Sequence, residues 1–372
     1  MIVSRRGLFG LLASPMLLAA ASGRSDASRS LDGGSPGSRA VGFGTCVVPG
    51  RLAGDPEIGR IVARHCAHLT PEYHLQWSSL EPAPGQYRFR PVDAIVDFAG
   101  RRGMTVTGHA LLWEQGTPGW GTPDWVKAEL AERPDWNLVR RRFERVLTRY
   151  RDAIPLWNVV NEPIAPGDRA DGLRANVFLE AFGPGYIAEA LETAREFAPR
   201  AKLMINEYSL EYGNRVDTAR QRAMLGLLED LRRRGAPLDA LGIQGHLDLG
   251  KGPPSPRGLG RFLQQVADLG LEIHVTELDV QERDFALPVA DRDRRVADET
   301  ARFLDIVLDQ EAVRSVTVWG ISDRDSWLRA DPSGLGGASP ATNRGLPFDD
   351  AGAPKPMAEA IFRALGRSGV AT

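Results

Sequence analysis

Short apolar runs alternate with longer amphipathic stretches along this chain from residue 41 onward. Eight runs rich in apolar and β-branched residues are predicted to be strands: 41–48, 67–70, 105–112, 156–160, 202–206, 240–244, 272–277 and 316–320. Helical spacing of apolar residues occupies the stretches between them, among them 91–102, 138–151, 186–197, 217–234, 258–269 and 292–308. Strands that are apolar on both faces are typical of a parallel sheet covered by helices.

This alternation predicts an α/β protein whose sheet closes into a (β/α)8 TIM barrel, a single domain over residues 40–368. The chain has 372 residues, and such a barrel takes about 250 residues or more. An open, doubly wound sheet is the alternative fold. It is disfavoured because no G-x-G-x-x-G or Walker-type phosphate loop follows any predicted strand.

Polar and aromatic side chains stand at or just after seven of the eight predicted strands. They are Glu72, His109, Trp113, Asn161, Glu162, Asn206, Glu207, Gln244, His246, Glu277, Asp279, Trp319 and Trp327. In a barrel the carboxyl ends of the strands meet at one rim, where active sites lie. Glu162 and Glu277 each stand at the end of an apolar strand. Two carboxyl groups across one rim are what glycoside hydrolysis requires, because one protonates the leaving oxygen and the other attacks or stabilises the sugar cation.

Eight motifs follow one another along the chain: LTPEYHLQWSSLEPAPGQYRF (69–89), GHALLW (108–113), WNVVNEP (157–163), INEYSLE (205–211), IQGHLDL (243–249), HVTELDV (274–280), VTVWGISDRDSW (316–327) and LPFDDAGAPKPMAEAI (346–361). Through these motifs the chain resembles glycoside hydrolase family 10, the (β/α)8 endo-β-1,4-xylanases, over residues 42–365. The resemblance implies retaining hydrolysis of β-1,4-linked xylan or xylo-oligosaccharides without a cofactor.

The same resemblance implies a role for each strand-end residue. It makes Glu162 the acid/base and Glu277 the nucleophile of a double displacement, with His246 and Asp279 holding the nucleophile. The residues that it places against the substrate are Glu72, His109, Trp113, Asn161, Gln244, Trp319 and Trp327. The chemistry requires a raised pKa for Glu162, so that it carries a proton, and hydrogen-bond donors that keep Glu277 ionised. His246 is placed to donate to Glu277 while Asp279 fixes its tautomer.

The motif after the second predicted strand departs from the family. Where the family has Glu-Asn followed by Met-Lys-Trp, this chain has Glu72-Tyr73 and then Leu75-Gln76-Trp77. In the family that Asn and Lys hydrogen-bond the sugar next to the cleaved residue on the non-reducing side, and each lost charge-assisted bond weakens binding by about 1.5–3 kcal/mol. Tyr73 and Gln76 therefore predict altered recognition, of a different or decorated β-glycan. Transglycosylation and sugar binding without turnover remain alternative functions.

The N-terminus has the pattern of a targeting segment. The sequence SRR at 4–6 is a twin-arginine signature, followed by an apolar run over 8–21 and then small residues. That run is shorter than the roughly 20 residues of a transmembrane helix. Residues 1–24 are therefore predicted to be a cleaved signal peptide, with a retained anchor as the alternative, and residues 25–39 a flexible lead-in. The mature protein is expected in the periplasm or outside the cell, without stable membrane association.

Composition and cysteine usage narrow the interpretation further. The net charge is −2 and the arginines are scattered among acids, which argues against a nucleic-acid partner. The expected substrate is a polysaccharide or oligosaccharide, and the protein is expected to act as a monomer. No metal is expected, because the spacing of Cys and His shows no zinc pattern. Cys46 and Cys66 are placed toward opposite ends of neighbouring strands. That placement favours two small buried residues over a disulfide, which export would permit.

The remaining histidines and several tryptophans are predicted to be structural. His65, His68 and His74 lie close in sequence, and structural or exposed positions are favoured over a metal site. His274 alternates with the residues predicted to face inward, so it is expected to pack toward the helices. Three tryptophans in or beside Gly/Pro-rich segments are predicted to pack under loops rather than stack on sugars: Trp120, Trp125 and Trp136.

Overall fold

The computed structural model describes residues 41–115, 119–330 and 343–366. The chain divides into two compact units, residues 1–39 and 40–372, and every described residue belongs to the second unit. The predicted signal peptide and lead-in therefore lie outside the described residues.

Ten strands within the described residues form the sheet, and eight of them close into a parallel barrel. Their bounds are β1 Gly42–Val47, β2 His68–Pro71, β3 Thr105–Gly108, β4 Leu112–Trp113, β5 Leu156–Asn161, β6 Lys202–Glu207, β7 Ala240–Ile243, β8 His246–Asp248, β9 Glu272–Gln281 and β10 Val313–Val318. The barrel order is β1-β2-β3-β5-β6-β7-β9-β10, and β10 pairs with both β9 and β1, which closes the ring. The short strands β4 and β8 pair in parallel with the C-terminal ends of β5 and β9. The predicted barrel is confirmed, and the open sheet is excluded.

Helices follow the strands around the barrel. Their bounds are α1 Pro49–Gly54, α2 Pro56–His65, α3 Trp77–Leu80, α4 Arg90–Gly100, α5 Asp124–Glu132, α6 Trp136–Tyr150, α7 Val177–Phe182, α8 Tyr186–Phe197, α9 Arg215–Arg233, α10 Pro256–Asp268, α11 Val289–Leu308, α12 Trp327–Ala330 and α13 Pro356–Ala364. The predicted helical stretches correspond to α4, α6, α8, α9, α10 and α11. Asp55 and Ser255 cap α2 and α10 by accepting the N–H groups of Ile58 and Gly258, and a proline follows each cap.

The strand predicted over 105–112 is interrupted. It ends at Gly108, and β4 begins at Leu112 after a cis peptide bond between His109 and Ala110. Gly108 permits β3 to lie close to β5, because a Cβ at this position would stand 2.1 Å from the fully buried Trp157 ring. The sequence contains no signal for this interruption, since residues 108–112 are buried on both sides of it.

The two strands that lead to the candidate glutamates are irregular shortly before them. In β5 the pairing with β6 shifts after Asn158, and in β9 the pairing with β10 shifts after Val275. Each shift places one extra residue in the strand. Such a β-bulge bends a strand and turns the following side chains to a new direction, and bulges are common beside active sites.

The bulge in β9 explains why the prediction for His274 is wrong. Counting alternate residues back from Glu277 places His274 on the helix side of the sheet. The structure places it in the barrel interior, where its Nδ1 lies 2.8 Å from Ser315 Oγ. One extra residue between the two positions reverses the alternation, because side chains in a strand change face at every step.

The last helix covers the first strand. Phe362 of α13 meets Phe43 of β1 edge-on, with ring centroids 5.2 Å apart, and His65 of α2 stacks on Phe362 at 5.1 Å. His65 is thus structural, as predicted. His68 is structural too, since its Nε2 lies 2.8 Å from Thr317 Oγ1 in the barrel interior.

Cys46 and Cys66 are both buried thiols, which confirms their prediction. Cys46 pairs in register with Thr70 near the end of β2, whereas Cys66 precedes that strand. Over residues 41–115, 119–330 and 343–366, no helix is long and apolar enough to cross a membrane.

Candidate active site

Glu162 lies directly after β5 with a backbone φ of +57°. This left-handed conformation costs a non-glycine residue about 1–2 kcal/mol, so the surrounding contacts must hold it. Its N–H donates to the Asn206 carbonyl at 2.8 Å. Its side chain is 6% exposed, and Oε1 accepts from Gln244 Nε2 at 2.9 Å and Asn161 Nδ2 at 3.2 Å. The Gln115 amide donates to the other oxygen, Oε2.

The burial of Glu162 favours its protonated form. Burial raises its pKa, and the negative charge of Glu277 raises it further. The hydrogen bond from Gln244 opposes this shift without reversing it. The neighbours around this carboxyl group are mostly neutral amides, which bind a carboxylate more weakly than cations do.

Glu277 lies in β9 and is surrounded by stronger donors. Its Oε1 accepts from Asn206 Nδ2 at 2.6 Å, and its Oε2 lies 3.4 Å from His246 Nε2. His109 Nδ1 stands 4.0 Å from Oε1. Burial would raise the pKa of Glu277, but His109, His246 and Asn206 together hold the pKa below its ordinary value. Glu277 is therefore a carboxylate near neutral pH.

His246 connects Glu277 to Asp279. Its Nδ1 lies 2.8 Å from Asp279 Oδ1, while Trp327 Nε1 donates to Asp279 Oδ2 at 2.6 Å. Burial lowers the pKa of His246, but the Asp279 charge and the hydrogen bonds to Asp279 and Glu277 raise it well above its ordinary value. His246 is thus an imidazolium that donates to both carboxylates. The Trp327 ring also meets the His246 ring edge-on at 5.3 Å.

Two asparagines join the candidate glutamates. Asn206 Nδ2 donates to Asn161 Oδ1 at 2.9 Å as well as to Glu277, and Asn161 Nδ2 donates to Glu162. Thr276 Oγ1 fixes the Asn206 amide by donating to its Oδ1 at 2.6 Å. An unbroken chain of two amides therefore links the carboxyl groups of Glu162 and Glu277, which places them at the same end of the barrel.

Aromatic residues lie beside this pair. Trp319 follows β10 and meets the His109 ring edge-on at 5.1 Å, while Trp113 of β4 pairs in register with Asn161. Burial lowers the pKa of His109, and the charge of Glu277 opposes that shift. Asn158 Nδ2 lies 3.2 Å from His109 Nδ1 and 2.8 Å from Asn161 Oδ1.

Glu72, Tyr73 and Gln76 form a separate group after β2. Burial and the charge of Asp325 raise the pKa of Glu72 to about 7. Tyr73 is partly exposed and stacks on His74, with ring centroids 4.2 Å apart. Gln76 is 4% exposed at the start of α3. The structure does not connect Tyr73 or Gln76 by hydrogen bonds to the two glutamates.

Several contacts in the site were not predicted from the sequence. Gln115 touches Glu162 from the segment after β4, and Arg174 donates its Nε–H to the Glu162 carbonyl at 2.7 Å. Asn158, whose amide reaches His109 and Asn161, is a buried polar residue inside a strand. A polar residue in an otherwise apolar strand is a usable signal, because an amide is buried only where it has partners. Gln115 and Arg174 have no comparable signal.

The predictions for the loop tryptophans are confirmed in two of three cases. Trp125 donates to the Glu81 carbonyl at 3.1 Å, and Trp136 donates to Thr193 Oγ1 at 3.0 Å. Trp120 is instead 53% exposed, so the prediction that it packs under a loop is wrong. In the described part of the chain, no group of three or more His, Cys, Asp or Glu side chains is arranged to hold a metal ion.

A parallel barrel with two linked carboxyl groups at the same rim, one with a raised pKa and one with a lowered pKa, is the arrangement of an O-glycosyl hydrolase. Comparison with known families agrees with this class. The model of Glycosyl hydrolase family 10 matches residues 37–364, and the chain belongs to that family.

Known relatives and solved structures also match most of the chain. The chain is 33% identical over 301 residues to endo-1,4-beta-xylanase B of Thermotoga neapolitana, covering 79% of each chain. It is 33% identical over 279 residues to the beta-1,4-xylanase of Dictyoglomus thermophilum, covering 72% of this chain and 74% of that one. The structure of xylanase 10B from Thermotoga petrophila in complex with xylobiose superimposes with a TM-score of 0.75 at 27% identity, covering 88% of this chain and 94% of that chain.

Proposed function

We propose that this protein is a retaining endo-1,4-β-xylanase in which Glu162 is the acid/base and Glu277 the nucleophile. The observation that carries the proposal is the difference between two linked carboxyl groups. The pKa of Glu162 is raised by burial, whereas His109, His246 and Asn206 outweigh burial and lower the pKa of Glu277. The xylanases among the relatives support xylan as the substrate class.

The proposed reaction has two displacements. In the first, Glu162 gives its proton to the glycosidic oxygen while the Glu277 carboxylate attacks the anomeric carbon and forms a covalent glycosyl-enzyme. In the second, Glu162, now ionised, takes a proton from water, which displaces Glu277 from the same carbon. Two inversions leave the product with the configuration of the substrate.

The stereochemical course of hydrolysis tests this mechanism. Proton NMR of xylotetraose hydrolysis should show the β-anomer as the first product, before mutarotation. A 2-fluoro xylobioside with a good leaving group should label Glu277, and the two carboxyl groups should stand about 5–5.5 Å apart in a crystal structure. An α-anomer as the first product would exclude the retaining mechanism.

A second candidate concerns the substrate. Tyr73 and Gln76 stand where the family has an Asn and a Lys, which supports a decorated or different β-glycan as the preferred substrate. Initial rates on linear xylan, arabinose- or glucuronate-substituted xylo-oligosaccharides and other β-glycosides show whether linear xylan or a decorated or different β-glycan is preferred. Ordinary efficiency on linear xylan would contradict altered recognition. Inertness on activated aryl glycosides would instead support sugar binding without turnover.

We also propose export by the twin-arginine route, to the periplasm or beyond, and action as a monomer. The twin-arginine signature and apolar run of residues 1–24 support the first point. Replacing both arginines with lysine should retain the full precursor in the cytoplasm, and continued export would contradict the route. Light scattering after size exclusion tests the monomer, whose mass must not exceed the 40.6 kDa of the full chain.

A further inference from the structure

Arg174 binds the main chain that carries Glu162. Its Nε–H donates to the Glu162 carbonyl at 2.7 Å and an Nη2–H to the Ile164 carbonyl at 3.3 Å. Its own main-chain N–H donates to the carbonyl between them, that of Pro163, at 2.7 Å. One residue therefore satisfies three successive carbonyl groups at the turn after β5.

We propose that Arg174 is a positioning residue that fixes the left-handed turn at Glu162 and supplies a positive charge to the proposed acid. The proposal rests on the function proposed above. It goes beyond that function because it assigns a role to a residue that is placed in neither the proton transfer nor the attack on the sugar.

The conformation of Glu162 explains why such a residue is needed. A φ of +57° is unfavourable for glutamate, and the carbonyls of Glu162 and Ile164 would lose these donors if the guanidinium were absent. A planar guanidinium with several N–H groups suits this task, because it binds more than one oxygen in a fixed geometry. A small displacement of the turn would move the carboxyl group relative to the glycosidic oxygen.

Arg174 is itself held in place from the other side. Its Nη2 donates to the Tyr208 hydroxyl at 2.9 Å. The Tyr208 N–H donates to Glu207 Oε1 at 2.9 Å, and the Arg220 guanidinium covers the Tyr208 ring at 4.0 Å. The orientation of Arg174 therefore follows from packing after β6 as well as from the turn after β5.

The charges around Glu162 make the contribution of Arg174 distinctive. Glu277 of β9 and Glu207 of β6 bring negative charge toward Glu162. The Arg220 cation forms an ion pair with Glu207, and both side chains are buried. The groups that face Glu162 from β5 and from the segments after β7 and β4 are the neutral amides Asn161, Gln244 and Gln115. The neutral Trp113 indole faces it from β4. Within the described ranges, Arg174 supplies the positive charge that lowers the pKa of Glu162.

The direction of the expected pH effect follows from this charge. The proposed acid must be protonated, so activity falls as the pH rises through its pKa. A positive charge favours the carboxylate and lowers that pKa, so removing the charge should move the alkaline limb of kcat/KM upward. The expected shift is roughly 0.5–1 pH unit, less than for a cation in direct contact with a carboxylate, because Arg174 contacts the main chain.

The experiment compares Arg174→Met, Arg174→Gln and Arg174→Lys with the wild type, using xylotetraose as substrate. Arg174→Met and Arg174→Gln should both shift the alkaline limb upward and lower kcat by about tenfold or more, as misplaced catalytic groups do. Arg174→Lys keeps the charge but not the planar fork, so it should lower kcat with little movement of the limb. Arg169→Met is the matched control, because exposed Arg169 in the same segment pairs only with Asp171 among the described residues.

The outcomes separate this inference from the proposed function. Thermal unfolding of every variant establishes that folded proteins are compared. The role of Arg174 is overturned if the alkaline limb of kcat/KM stays in place in both Arg174→Met and Arg174→Gln. It is also overturned if that limb moves equally in Arg174→Lys. If Glu162→Gln leaves the wild-type alkaline limb unchanged, the assignment of Glu162 as the acid fails instead.

Discussion

The ends of β5 and β9 are alike in construction and opposite in electrostatics. Each strand contains a bulge shortly before its glutamate, and each glutamate is nearly buried. Glu162 is surrounded mainly by neutral amides, so that burial raises its pKa, whereas Glu277 receives an imidazolium and an amide that outweigh burial. The surroundings thus shift the pKa values of two residues of the same type in opposite directions, which is the condition for one acid and one nucleophile in a single site.

The largest effect is expected at the β9 end. Glu277→Ala should lower kcat on xylo-oligosaccharides by about 10⁴-fold or more, because removing a covalent nucleophile removes the reaction path itself. Azide or formate should restore part of the activity, with a product of inverted configuration detected by NMR. Glu272→Ala is the control, since Glu272 begins β9 far from the rim and pairs with Lys202 and Arg314. Unchanged turnover in Glu277→Ala would contradict its role.

At the β5 end the loss of activity on replacing Glu162 should depend on the leaving group of the substrate. Glu162→Ala should lower kcat/KM for xylotetraose by about 10²–10⁴-fold, the range of general acid catalysis. For a dinitrophenyl xylobioside the loss in the first step should be far smaller, because that leaving group needs no proton. Glu180→Ala, on the exposed side of α7, is the control. Equal losses on both substrates would show that Glu162 does not act as the acid.

An effect of intermediate size is expected when the hydrogen bond between His246 and Asp279 is altered at the β9 end. Asp279→Asn removes the charge that keeps His246 protonated, so the pKa of His246 should fall. Glu277 then loses a cationic neighbour and its pKa should rise. Because Glu277 must be ionised, the acid limb of kcat/KM should move upward by about 1 pH unit, and kcat/KM should fall roughly 10- to 150-fold. An acid limb that stays at its wild-type position would contradict this account.

The smallest effect is expected at the group after β2, away from both glutamates. The double variant Tyr73→Asn with Gln76→Lys introduces the amide and ammonium that the family has there. One charge-assisted hydrogen bond of about 1.5 kcal/mol corresponds to roughly a tenfold gain in kcat/KM on linear xylotetraose. Gln76→Met with Tyr73→Asn is the control without the added charge. Equal rates for all three proteins would remove these residues as the cause of altered recognition.

The fold was predictable because its signals are local and repeated. Eight apolar runs, seven of them with polar or aromatic residues at their ends, indicate a closed parallel barrel, and the convergence of strand ends then places Glu162 and Glu277 at one rim. The contact between His246 and Asp279 was also predicted. His246 lies two positions after the predicted strand 240–244, and Asp279 lies two positions after Glu277, each in a motif that matches the family. Their hydrogen bond of 2.8 Å agrees with that expectation.

The rest required the three-dimensional structure for identifiable reasons. A bulge leaves no mark in an apolar strand, so the side on which His274 lies was predicted wrongly. Gln115 and Arg174 reach Glu162 from segments without periodicity, where sequence spacing does not indicate contact. Trp120 was assigned by the composition of its surroundings, which does not determine exposure. In each case the missing information is the path of the main chain rather than the type of residue.

The pairing of β10 with β1 has a consequence for how the chain acquires this shape. During synthesis β1 emerges early, but one of its edges has no partner until β10 is made, and its Phe43 ring meets Phe362 only when α13 has been made. An unpaired apolar strand is prone to join other chains. Ribosome-bound chains that stop before residue 313 should therefore need chaperone protection, and release of the final segment should trigger the collapse to a protease-resistant form.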